Sequence, residues 1–108
     1  MITIDEFRKL AFSFSDVVEL PHFDKTSFRV NKKIVATLDE KKNIAMLKLS
    51  LVDQSVFCDM SNGEIYPVSG AWGKQGATYF DLKKIKKKIL KDAMQCSYNL
   101  VSAKKMKT

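Results

Sequence analysis

The residues able to do chemistry are few and widely separated. His22 is the only histidine, and Cys58 and Cys96 are the only thiols. One histidine without a partnered Ser, Cys or carboxylate does not make a triad. Zinc ligands normally come in pairs a few residues apart, and these three residues have no such spacing, nor does either cysteine belong to a C-x-x-C pair. Both cysteines sit in apolar, helix-like stretches and read as buried reduced thiols. The carboxylates are scattered and offer no dyad of the glycosidase kind. The expectation is a protein with no catalytic residues, no metal and no cofactor.

The glycine cluster Gly70-x-Trp72-Gly73-x-x-Gly76 matches neither phosphate-loop pattern. It lacks the G-K-[ST] ending and precedes a strand where a dinucleotide site would open a helix. Its glycines are expected to supply backbone at positive φ. Trp72, beside Lys74, remains a candidate for stacking on a base.

Charge is the stronger signal. The 108 residues carry a formal net charge of +7. Residues 1–80 hold ten Lys or Arg and ten Asp or Glu, whereas residues 81–108 hold nine Lys against Asp81 and Asp92. A localised basic stripe is the footprint of a polyanion binder, and equally of a lysine-rich solvated helix face. Hydrophobic content of 45% and charged content of 29% describe a folding chain, not a disordered one. No apolar run approaches the ~18 residues of a membrane span. The opening MITIDEFRKL lacks the basic-then-apolar layout of a secretory signal. A cytoplasmic protein with no membrane partner is expected.

The elements that must position these residues are legible in outline. Thr3-x-x-Glu6 is a capping box, and Ile4, Phe7, Ala11 and Phe14 follow on one face, which predicts a helix over 3–14. Leu20-Pro21 is read as a break. Period-two alternation then predicts three strands: Phe28 and Val30; Ile34, Ala36 and Leu38; Ala45, Leu47 and Leu49 point inward. Ser50 to Asn62-Gly63 reads as a short helix with Leu51, Val52, Val56, Phe57 and Met60 on its apolar side. Two more strands follow, around Ile65–Val68 and Ala77–Phe80. Asp81 is expected to cap a final helix with an inward stripe of Leu82, Ile85, Ile89, Ala93, Cys96 and Leu100. Lys83, Lys84, Lys86, Lys87, Lys88 and Lys91 cover its other side. The sum is one α+β domain over 1–103 with a basic tail at 104–108. It is a two-layer sandwich with the N- and C-terminal helices on one face of an antiparallel sheet.

Two segments resemble a known family. His22-Phe23-Asp24-Lys25-Thr26-Ser27-Phe28-Arg29-Val30-Asn31-Lys32-Lys33-Ile34-Val35-Ala36-Thr37-Leu38 resembles the HFGKPSFRVNGKIFATL segment of the MmcQ/YjbR-like family. Trp72-Gly73-Lys74-Gln75-Gly76-Ala77-Thr78-Tyr79-Phe80-Asp81-Leu82 resembles its GWG-x-x-GWT-x-V-x-L segment. Asp24 stands where the family often has Gly, and Ala77 where it often has Trp. The resemblance implies a fold similar to that of bacterial frataxin (CyaY-like) and a DNA-binding role. Iron binding would require an acidic ridge on the first helix, but here Asp5 and Glu6 are followed at once by Arg8 and Lys9.

The leading expectation is therefore a nucleic-acid-binding module using the sheet face opposite the core. Lys25, Arg29, Lys32, Lys33 and Lys74 would contact phosphates, with Lys48 on the same face. Trp72 or Tyr79 would stack or wedge, and His22 would add a charge on protonation. The rival expectation places a protein or small ligand on that face.

Overall fold

The chain enters its first helix through a complete capping box. In the computed structural model, which describes residues 1–102, Thr3 Oγ1 accepts from the Glu6 amide at 3.1 Å. The Glu6 carboxylate accepts from the Thr3 amide at 2.8 Å, so two free helix-end donors are satisfied together. Helix α1 (Ile4–Ala11) buries Phe7 and Ala11 and ends at Phe12, earlier than expected. Phe14 lies beyond it, stacked on Tyr98 at 4.9 Å.

Six strands follow: β1 (Val18–His22), β2 (Lys25–Val30), β3 (Lys33–Asp39), β4 (Ile44–Lys48), β5 (Ile65–Pro67) and β6 (Ala77–Asp81). They form one sheet in the order β1-β2-β3-β4-β6-β5, with every neighbouring pair antiparallel. Strand β1 was not expected, because Leu20-Pro21 reads as a break. Its place at the sheet edge explains it: Pro lacks an N–H, and an edge strand tolerates that loss. Hairpins β1–β2 and β2–β3 turn in two residues each. Phe23, Asn31 and Lys32 adopt positive φ of 59°, 52° and 69° there.

The expected sandwich is present. Helices α1, α2 (Leu51–Met60) and α4 (Lys87–Ser102) pack on one sheet face. Phe7 meets Phe28 at 5.4 Å, Phe57 meets Phe80 at 6.3 Å, and Ser97 Oγ donates to the Val35 carbonyl at 3.0 Å. The main core includes Phe28, Leu38, Leu47, Phe80 and Leu90.

Four details depart from the expectation. Asp81 closes a single turn, its carboxylate accepting from the Lys83 amide at 3.0 Å, and α4 begins only at Lys87. This break resets the helical phase. The buried set of α4 is Leu90, Ala93, Met94, Ser97 and Val101, while Ile89 and Cys96 are half-buried and Leu100 is exposed. Helix α2 is rotated too: it buries Gln54 and Phe57 and turns Leu51, Val52, Val56 and Met60 to solvent. On β3, a bulge opposite Phe28/Arg29 adds a residue, so that Val35 is buried and Ile34 passes to the other face. Val30 then packs with Val35 and Val101 in a small cluster of its own. The basic tail expected at 104–108 lies outside the described residues. Among those described, no helix is long and apolar enough to cross a membrane.

Candidate functional site

Helices α1, α2 and α4 pack on one side of the sheet, and of these only the end of α4 reaches the floor on the other side. The pleat sends Val18, Leu20 and His22 of β1, and Lys25, Ser27 and Arg29 of β2, to this open face. The register aligns a row across all six strands: Leu20, Ser27, Thr37, Met46, Tyr79 and Tyr66. A second row places Arg29 opposite Ile34, and Lys48 opposite Ala77. Without the bulge, Ile34 would point into the core and the floor beside Arg29 would be a different side chain.

Two projections wall this floor, and Leu100 and Val101 at the end of α4 line it as well. The β1–β2 hairpin tip raises His22, Phe23, Asp24 and Lys25 on one side. On the other stand Val68 and the single-turn helix α3 (Ala71–Lys74), which carries Trp72, with Gln75 after it. The groove has a volume of about 910 Å³. Lys32 and Lys33 border it at the β2–β3 hairpin. Trp72 is 69% exposed and Phe23 94% exposed, whereas the Tyr79 ring is half-buried against Tyr66 at 5.4 Å.

The α3 wall is built by close backbone contact. Any Cβ on Gly73 would lie 1.7 Å from the Val68 carbonyl oxygen, and any on Gly76 1.8 Å from that of Leu49. Gly76 also needs a φ of +107°. Positive φ is therefore only part of the reason for this glycine cluster. Gln54, buried from α2, ties the wall down. Its Nε2 donates to the carbonyls of Gly73 and Ala77 at 3.0 and 3.1 Å, and lies 3.1 Å from Thr78 Oγ1. Sequence reasoning missed Gln54. The only trace of it was a polar residue beside an apolar run, and rotation of α2 decided that it faces inward.

The electrostatics of the groove are one-sided. Lys25, Arg29, Lys32, Lys33 and Lys48 line it, against the single carboxylate of Asp24. Asp24 pairs with Lys25 at 3.4 Å, and that bond holds its carboxyl below the usual carboxylate range. The two arginines make an instructive contrast. Arg8, on the far side, is clamped by Glu19 at 2.9 Å and Glu40 at 3.0 Å, and these bonds raise its pKa. Arg29 has no carboxylate partner among the described residues. Its Nε donates to Ser27 Oγ at 2.8 Å, and its Nη2 lies 3.5 Å from His22 Nδ1. Ser27 Oγ in turn donates to the Leu20 carbonyl at 2.9 Å. With its proton committed there, this serine is not poised as a nucleophile. The arrangement offers a fixed, uncompensated guanidinium above an apolar and aromatic floor, suited to holding an anion.

Of the residues named from sequence, His22, Lys25, Arg29, Lys32, Lys33, Lys48, Trp72 and Tyr79 line this one groove; Lys74 is exposed on α3 and does not. Phe23 lines it as well and was not anticipated. The lysines on and before α4 lie on the opposite side of the sheet. Lys83 bonds the Lys42 carbonyl at 2.8 Å, and Lys87 pairs with Glu6 at 3.6 Å. Among the described residues no three His, Cys, Asp or Glu side chains converge on a common point.

The fold has close counterparts among solved structures. The Deinococcus radiodurans protein DR2400, described as a DUF419 domain, superposes with a TM-score of 0.85 at 19% identity, covering 100% of this chain and 84% of its own. A Pseudomonas syringae protein superposes with a TM-score of 0.68 at 17% identity, covering 92% of this chain and 98% of its own. At these identities the likeness concerns the fold alone. No family model matches the chain, and no curated protein matches it in sequence.

Proposed function

We propose that this protein is an MmcQ/YjbR-like module that binds nucleic acid in the cytoplasm through the open face of its sheet, without catalysing a reaction. The observation that carries this reading is Arg29: a guanidinium held by Ser27 and His22, free of carboxylate partners among the described residues, in a groove with four lysines and two exposed aromatic rings. Open sheets bearing cations and aromatics are a recurrent platform for nucleic acid. The family resemblance has structural support at the motif positions themselves. Asn31 sits at the positive φ of a hairpin, and Gly73 and Gly76 sit where no side chain fits. Two free cysteines suit a reducing compartment.

Binding driven by phosphate contacts weakens steeply with salt, by close to one log unit of affinity per log unit of salt for each phosphate neutralised. Titrating labelled oligonucleotides at two salt concentrations tests the reading. Binding with a slope of two or more phosphates supports it, and no binding at low salt removes it.

A second reading has its own support. The groove volume falls within the range of about 300–1,000 Å³ usual for small-ligand pockets, and Ile34, Met46 and Val68 give it an apolar lining. A small anionic ligand with an apolar body would suit it. Thermal-shift screening with such compounds at constant ionic strength separates this reading from the first.

A further inference from the structure

Phe23 is the most exposed large apolar residue of the described chain and is also held in a disfavoured backbone conformation. It is 94% exposed, at a φ of 59°. A bulky L-residue in the left-handed region is strained, and glycine would relieve that strain. Nothing in the packing accounts for the ring. Its one aromatic contact is with His22, edge to face at 4.9 Å. Strain and exposure at the same residue are the mark of a position kept for a partner.

The groove supplies the rest. Phe23, His22 and Arg29 are contiguous: ring against ring at 4.9 Å, then Nδ1 to guanidinium at 3.5 Å. Across the same concavity stands Trp72, 69% exposed and seated on α3. Strands β1 and β6 are four places apart in the sheet. The register sets the β1–β2 tip at the Asp81 end of β6 and α3 at its Ala77 end, so the two rings stand at diagonally opposite corners of the groove. At ~4.8 Å per strand and ~3.3 Å per residue, they lie on the order of 25 Å apart. The cations lie between and around them.

Resting on the nucleic-acid reading above, we propose that the groove takes an unpaired strand with its bases turned towards the protein, Phe23 and Trp72 each stacking a base while Arg29 holds a phosphate between them. In a duplex, base faces are covered by their neighbours and exposed rings find nothing to stack on. An unpaired strand presents π-faces and phosphates together. Five groove cations against one carboxylate favour such a polyanion over an apolar peptide.

The test is fluorescence anisotropy at low salt with four probes of about 12 nucleotides: single-stranded oligothymidylate, a blunt duplex, an abasic strand of equal charge, and single-stranded RNA. The wild-type protein is compared with Phe23→Gly and Trp72→Ala. Expected are tighter binding of single strands than of duplex, and about ten-fold weaker binding of the abasic strand. Phe23→Gly should lose about ten-fold on single strands while its melting temperature stays level or rises. A merely structural role for Phe23 would lower the melting temperature and leave the preference for bases intact. Equal binding of abasic and normal strands, a preference for duplex, or full affinity in Phe23→Gly overturns the inference and leaves the nucleic-acid reading standing. No binding of any probe removes both.

Discussion

Arg29 and Ser27 stand two residues apart on the same face of β2, and the guanidinium Nε donates to the serine hydroxyl at 2.8 Å. That hydroxyl in turn donates to the Leu20 carbonyl of β1 at 2.9 Å. The cation is thereby anchored to two strands through one buried oxygen. Ordering a long side chain in advance lowers the entropy lost when an anion arrives.

From this anchoring, Arg29→Ala should weaken nucleic-acid binding more than replacement of Lys86 and Lys87 together. The expected loss is about 2 kcal/mol, or some thirty-fold. Those two lysines lie on the far side of the sheet, so one bound strand does not reach both. Anisotropy at two salt concentrations checks it. Loss of binding in the double lysine variant, with Arg29→Ala unchanged, would show that the platform is elsewhere.

Phe28 is 1% exposed and meets both Phe7 at 5.4 Å and Phe12 at 5.9 Å. Phe28→Ala should cost about 3–5 kcal/mol in chemical denaturation. A cost under about 1 kcal/mol would contradict the strand phase that also puts Arg29 on the open face.

Gly76→Ala should destabilise far more than Gly63→Ala. Both have positive φ, but a Cβ at 76 meets the Leu49 carbonyl at 1.8 Å while a Cβ at 63 meets nothing within 4 Å. We expect about 1 kcal/mol at Gly63 from backbone strain and a loss on the order of 3 kcal/mol or more at Gly76. Urea denaturation of the two variants decides it.

Gln54→Leu should cost about 1–3 kcal/mol, because the carbonyls of Gly73 and Ala77 lose a donor inside the protein. Hydrogen exchange at 70–77 should quicken selectively. Unchanged exchange there would mean that α3 is held without Gln54.

The thiols carry a pH dependence. Burial pushes the pKa of both Cys58 and Cys96 up, and Asp59 and Asp53 respectively add to the shift. A group whose folded pKa is raised contributes stability that is fully present below its unfolded pKa, near 8.5, and is lost as pH rises through the folded value. Stability should therefore fall on the alkaline side. Alkylation at pH 8 should be slower in the folded than in the unfolded protein. Equal rates would show the thiols to be unperturbed.

Local chemistry made much of this legible. The Thr3–Glu6 box, the Ser50 cap and the alternation in β2 and β4 act over three or four residues, so composition and spacing suffice to find them. Strand β1 escaped because Pro21 is a break everywhere except at a sheet edge, and edge status is a property of the whole sheet. The phases of α2 and α4 escaped for a similar reason. Each helix has apolar residues on more than one side, and packing against β5 and β3 selects which side is buried.

The candidate site divides the same way. Residue types and period-two spacing alone determined that Arg29 and Lys48 share a face away from Phe28 and Leu47, because side chains alternate along a pleated strand. Only the tertiary structure decided that Ile34 joins them, that Lys74 does not, and that Phe23 and Trp72 line one groove. Those outcomes depend on a one-residue bulge, on the seating of α3 against Val68 and Leu49, and on a two-residue hairpin at positive φ. Each is set by contacts between segments far apart in the chain.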